Sequence, residues 1–159
     1  MKKRRLRFAL CALWMAVIFL FSAQTAQRSK EVSEAVVDRV VSSPQADAPP
    51  SAEQETVREF LHVAVRKAAH LAEYAVLAML FAYAFWDCSL PKSAKWLLPV
   101  GLSSLYAVTD EVHQYFVPGR ACRLGDMAID ALGAVLGMCL FAVLTWLWKK
   151  IRKQKACCY

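Results

Sequence analysis

A chain of 159 residues has room for one ordinary domain, but 58% of this one is hydrophobic, above the ~45–50% usual in globular proteins. The mean hydropathy of +0.32 likewise excludes an ordinary soluble protein and points to an integral membrane protein. The formal charge is +7, carried largely by MKKRR (1–5) and WKKIRKQK (148–155) beside long apolar runs; that placement suits flanks of membrane helices and argues against a nucleic-acid partner.

The first apolar run, FALCALWMAVIFLFSA (8–23), follows a basic start of residues 1–7. FSAQTAQ (21–27) offers small residues for cleavage of a signal peptide, yet the run is long for a signal core and the remainder is also membranous. An uncleaved signal anchor is the expectation. Residues 24–66 are more polar. KEVSEAVVDRVV (30–41) places Val32, Val36, Val37, Val40 and Val41 on one helical face, SSPQADAPPSAE (42–53) is a breaker-rich linker, and TVREFLHVAVRK (56–67) resumes helical spacing. Two short surface helices over the membrane region are expected, in an extracytoplasmic, partly helical loop.

Three further runs follow within residues 67–148: AAHLAEYAVLAMLFAYAFW (68–86), then about 96–116, then about 126–148, joined by DCSLPKSAK (87–95) and VPGRACRLG (117–125). Each approaches the ~20 residues needed to cross a hydrocarbon core. Trp86, Trp96, Trp146 and Trp148 mark the ends of these runs, as interfacial tryptophans do. With both termini in the cytoplasm, the inner segments, including the tail 149–159, hold twelve bases and one acid, Asp87. The expected architecture is therefore an all-α, multi-pass membrane protein with four transmembrane helices and cytoplasmic N and C termini. The six cysteines match no zinc or disulfide spacing; Cys11 and Cys139 lie in apolar runs as packing residues.

In this topology TDEVHQYFVPGR (109–120), the densest charge between two apolar runs, falls at the outer end of the third span. His70 and Glu73 then open the second span, Asp110, Glu111, His113 and Gln114 close the third, and Asp126 and Asp130 open the fourth, so three helices bring ionisable groups to one leaflet. The i, i+3, i+4 spacing of His70, Glu73 and Tyr74 keeps them on one stripe. Asp126, Asp130, Gly133 and Gly137 share another, and Gly133-x-x-x-Gly137 is a small-residue face for close helix packing. A charge at the bilayer centre costs roughly 2.5–3.5 kcal/mol on insertion scales, less near an interface. Five acids with two histidines are thus a candidate site, with Arg66, Lys67, Arg120 and Arg123 as partners.

RKAAHLAEYAVLAML (66–80), YAVTDEVHQYFVPGRACRLGDMAIDALGAVLG (106–137) and, more loosely, FSAQTAQRS (21–29) resemble the VanZ-like family of small bacterial membrane proteins. The resemblance places the family's polar positions at Arg66, Lys67, His70, Glu73 and Tyr74, then at Asp110, Glu111, Gln114 and Arg120, and finally at Asp126 and Asp130. Asp130 stands where the family often has asparagine, which adds an acid. The resemblance implies residence in the bacterial cytoplasmic membrane and a role in low-level resistance to teicoplanin-type glycopeptides; it implies no reaction.

Three functional readings stay open. His70, Glu73, Asp110, Glu111, Asp126 and Asp130 could hold a divalent metal that activates water against an envelope lipid phosphate, as carboxylates and imidazoles of facing bundle helices do. The same groups could be a salt-bridged cluster that only locks helices. The leading reading is a non-catalytic polar pocket for an outer-leaflet lipid, a cell-wall precursor or the antibiotic itself, with Arg120 and Arg123 meeting its anionic group. His113 is expected to be an interface residue, and Ser103 and Ser104 have no base one turn away for serine hydrolysis.

Overall fold

The computed structural model describes residues 2–41, 52–120 and 122–157. The linker expected over 42–53 lies almost wholly outside them. Five helices are described: α1 (Lys2–Ser22), α2 (Ala26–Val41), α3 (Ala52–Phe85), α4 (Lys92–Tyr115) and α5 (Leu124–Cys157). Among the described residues there is no strand.

Two expected boundaries move for one physical reason, the lack of a breaker. No Gly or Pro occurs between Ala52 and Phe85, so 56–67 is not a separate surface helix but the first part of a 34-residue α3. The basic tail beyond Trp148 likewise continues α5 to Cys157, since Lys, Arg and Gln are good helix formers. Pro91 takes φ −60° and ψ 154° at the N-cap of α4, whereas Pro99 lies within that helix without ending it. The valine stripe of α2 also divides. Ser33 and Val37, one turn apart, are buried, whereas Val32 and Val36 remain exposed. Asp38 pairs with Arg58, tying α2 to the start of α3.

α3 packs against every other helix, and the chain runs up and down around it. At one end, hereafter the basic end, the start of α1 meets the end of α3 through an Arg7–Asp87 ion pair of 2.7 Å. Lys95 Nζ at the start of α4 donates to the Trp86 carbonyl at 2.9 Å, and Lys149 of α5 lies over the Trp86 ring. At the opposite end the last residue of α1, the last turns of α4 and the first turns of α5 meet around the middle of α3. A core of Cys11, Ile18, Tyr74, Leu77, Phe81, Ala84 and Ala107 joins α1, α3 and α4 between these ends.

The apolar residues face outward as much as inward. Among the described residues α1, α3 and α5 are long and apolar enough to cross a membrane, and only 17%, 33% and 28% of their apolar stretches are buried inside the protein. Leu13, Leu20, Leu105, Leu132, Leu144 and Trp146 are instead exposed, an arrangement suited to lipid rather than water. α4 is not one of the three. It carries Lys92 and Lys95 at its start and Asp110 and Glu111 near its end, with an apolar middle. At ~1.5 Å per residue its 24 residues span about 36 Å.

α5 lies on α3 at unusually short range. A Cβ at Gly137 would sit 2.6 Å from the Ala75 Cα, and one at Gly133 3.0 Å from the Leu71 Cα. Only glycine permits that approach, and it sets Asp130, one turn before Gly133, directly against α3.

Candidate functional site

The closing turns of α4 place Asp110, Glu111 and Gln114 inward, at 2%, 1% and 5% exposure. Asp110 Oδ2 accepts from Ser22 Oγ at 2.6 Å and from Gln114 Nε2 at 3.0 Å. Gln114 Oε1 accepts from Arg120 Nη1 at 2.9 Å, and Arg120 Nε donates to the Gln24 carbonyl at 3.0 Å. This chain of bonds ties α1, α4 and both connecting turns together. Gly119, at φ +78°, makes the turn that carries Arg120 there, a backbone that side-chain-bearing residues rarely adopt, and an added Cβ would lie 3.2 Å from the Ala26 Cβ. Burial, followed by the charge of Arg66, pulls the Arg120 guanidinium below its usual pKa, against the raising effects of Asp110, Glu111 and Glu73.

Glu111 is held differently. Its Oε1 accepts from the Arg123 backbone N–H at 2.6 Å. The expected guanidinium partner at Arg123 is therefore replaced by an amide, and the Arg123 side chain is exposed.

The second half of the cluster lies between α3 and α5. His70 Nδ1 is 3.8 Å from Asp130 Oδ1 and 3.9 Å from Glu73 Oε2, beyond hydrogen-bond length. Asp130 is 1% exposed, and among the described residues neither of its carboxylate oxygens has a hydrogen-bond partner. Tyr74 is wholly buried, and its hydroxyl is likewise unbonded. Buried polar groups nearly always find partners, so the contrast with Asp110, of which only Oδ1 is unbonded among the described residues, is informative. A tight crevice lined by Arg66, Lys67, His70, Asp126 and Ile129 lies beside this half. Trp14 Nε1 of α1 donates to the Glu73 carbonyl at 2.9 Å, fixing that turn of α3.

The residues expected in the site thus separate into three groups. Asp110, Gln114 and Arg120 are joined in one bonded network, with Glu111 anchored beside it to the α4–α5 loop. His70, Glu73, Tyr74 and Asp130 form the unsatisfied half, and Arg66, Lys67 and Asp126 line its edge. Among the described residues no three His, Cys, Asp or Glu groups are gathered to hold a metal ion. His113 stacks on Phe19, with ring centroids 4.2 Å apart. Sequence reasoning missed Ser22, Gln24 and Trp14, because the first apolar run was read only as an anchor. The one available signal was FSAQTAQRS, which contains Ser22 and Gln24.

A much larger cleft of about 930 Å³ lies elsewhere, between α2 and the first turns of α3. It is lined mainly by mixed charges such as Lys30, Glu34, Glu55 and Glu59.

Outward apolar helices around a buried polar cluster define a helical membrane protein, with that cluster at the end opposite the basic one. Its kinship is narrower than that class. The sequence pattern of the VanZ/LLP1 family matches residues 8–146, and the chain belongs to this family. No curated protein and no solved structure matches it.

Proposed function

We propose that the protein crosses the bacterial cytoplasmic membrane four times, both termini inside, and protects the cell envelope against glycopeptides of the teicoplanin type or lipopeptides. In this reading α4 is the third of the four spans, the basic end faces the cytoplasm, and the polar cluster opens toward the outer leaflet. There it binds the polar group of an outer-leaflet lipid, a cell-wall precursor or the antibiotic. The observation that supports the reading is Asp130: a buried carboxyl whose two oxygens are unbonded among the described residues, beside a tight crevice edged by Arg66 and Lys67. A site kept ready for a ligand accounts for that expense better than packing alone.

The Ser22–Asp110–Gln114–Arg120 network favours a different role for its half. Its bonds close within the protein, so it locks the helices that frame the site. A divalent metal acting on an envelope lipid phosphate, the second reading, would draw on groups such as His70, Glu73 and Asp130, which are not gathered as a three-ligand set among the described residues.

A susceptibility profile of a deletion strain across envelope-targeting antibiotics tests the proposal. Increased susceptibility to teicoplanin-type or lipopeptide agents, restored by the intact gene, is expected. An unchanged profile across both classes would contradict it. Reporter fusions within residues 42–53 test the topology independently: a cytoplasmic reporter signal there would reverse the orientation.

A further inference from the structure

At the basic end a second cavity, about 200 Å³, opens between α3, α4 and α5. Its walls are largely apolar, formed by Trp86, Trp96, Met138 and Phe141, and Lys92 and Lys95 border it. Lys149 reaches over the Trp86 ring, 5.2 Å from its centroid. None of these three lysines is ion-paired among the described residues, and the nearby acid, Asp87, is already committed to Arg7. Lys95 donates one bond, to the Trp86 carbonyl, which leaves two of its three ammonium donors for another acceptor.

An apolar groove between membrane helices, flanked by tryptophans and bordered by unneutralised lysines, has the chemistry of a phospholipid site. Tryptophan belongs at the depth where acyl chain gives way to headgroup. Basic pockets between helices attract anionic headgroups. A zwitterionic headgroup would bring its own cation against three lysines and gain less. We infer that this groove holds an anionic phospholipid, with an acyl chain against Met138 and Phe141 and the phosphate at Lys92, Lys95 and Lys149. The site is separate from the polar cluster and stands whether or not the proposed envelope function does.

Native mass spectrometry of the full-length protein released from bilayers of phosphatidylglycerol and phosphatidylcholine tests it. Retention of one phosphatidylglycerol in preference to phosphatidylcholine is expected. Lys92→Gln with Lys95→Gln lowers that preference about thirtyfold, at roughly 1 kcal/mol for each lysine near a membrane surface. Ala142→Phe, which fills the groove from its α5 wall, lowers retention of both lipids while the lysines remain. Equal retention of the two lipids by the wild type, or an unchanged preference in the double lysine variant, would overturn the inference. Soluble glycerophosphate should not compete, because it lacks the acyl chain; full displacement by it would also overturn the site.

Discussion

Gly137→Ala tests how far the α3–α5 contact governs the site. The added Cβ would lie 2.6 Å from the Ala75 Cα and 2.7 Å from its carbonyl carbon, whereas carbon atoms in optimal contact sit about 3.5–4.0 Å apart. The obstruction is backbone, so no side-chain rotation relieves it, and α5 must retreat by about 1 Å. Overpacking of this kind costs typically ~1–3 kcal/mol. At roughly 2–4 °C per kcal/mol for a chain of this size, the melting temperature in detergent should fall by about 4–8 °C for a 2 kcal/mol cost. Gly101→Ala is the control. It lies in α4, where an added Cβ meets nothing within 4 Å, and replacing glycine inside a helix gains ~0.5–1 kcal/mol. Its melting temperature should hold or rise. Equal melting temperatures for Gly137→Ala and the wild type would refute the close approach of the two helices.

Two other substitutions separate framework from site. Ser22→Ala removes a donor from the Asp110 carboxylate, and hydrogen bonds to charged groups contribute about 1.5–3 kcal/mol; a melting curve lowered by about 3–12 °C is expected, and no shift would show that the bond to α1 does not hold the bundle. Arg120→Lys keeps the charge but cannot span Gln114 and the Gln24 carbonyl with one planar fork, so it should also destabilise, by about 1 kcal/mol; a wild-type melting curve would reduce Arg120 to a simple charge.

Much of this architecture was legible in the residues because lipid is an undemanding solvent for pattern reading. Uninterrupted apolar runs had to become helices, since a backbone in hydrocarbon must satisfy itself. The placement of His70, Asp110 and Asp130 at one end follows from the alternating direction of successive helices. The Gly133–Gly137 spacing marks the face of α5 that the structure sets on Leu71 and Ala75. What the sequence could not supply were pairings across helices. Nothing in it distinguishes Asp110, bonded to Ser22 through Oδ2, from Asp130, which has no hydrogen-bond partner among the described residues; both are acids near a helix end. Arg123 acts through its amide, a role every residue type can play and none announces. The sequence does not announce the full length of α3, because TVREFLHVAVRK is polar enough to resemble a surface helix, and composition alone does not say where a helix leaves the membrane.

The comparison of Asp130→Asn with Ser22→Ala, each measured for antibiotic tolerance and for melting temperature, tests the central claim most directly. Replacing a buried, unbonded carboxyl by an amide of the same shape removes no hydrogen bond seen among the described residues, so Asp130→Asn should melt at or above the wild-type temperature. If that carboxylate is kept for a ligand, the same variant should nonetheless lose the tolerance that the intact gene restores to a deletion strain. Wild-type tolerance in Asp130→Asn, at a normal protein level, would contradict the account.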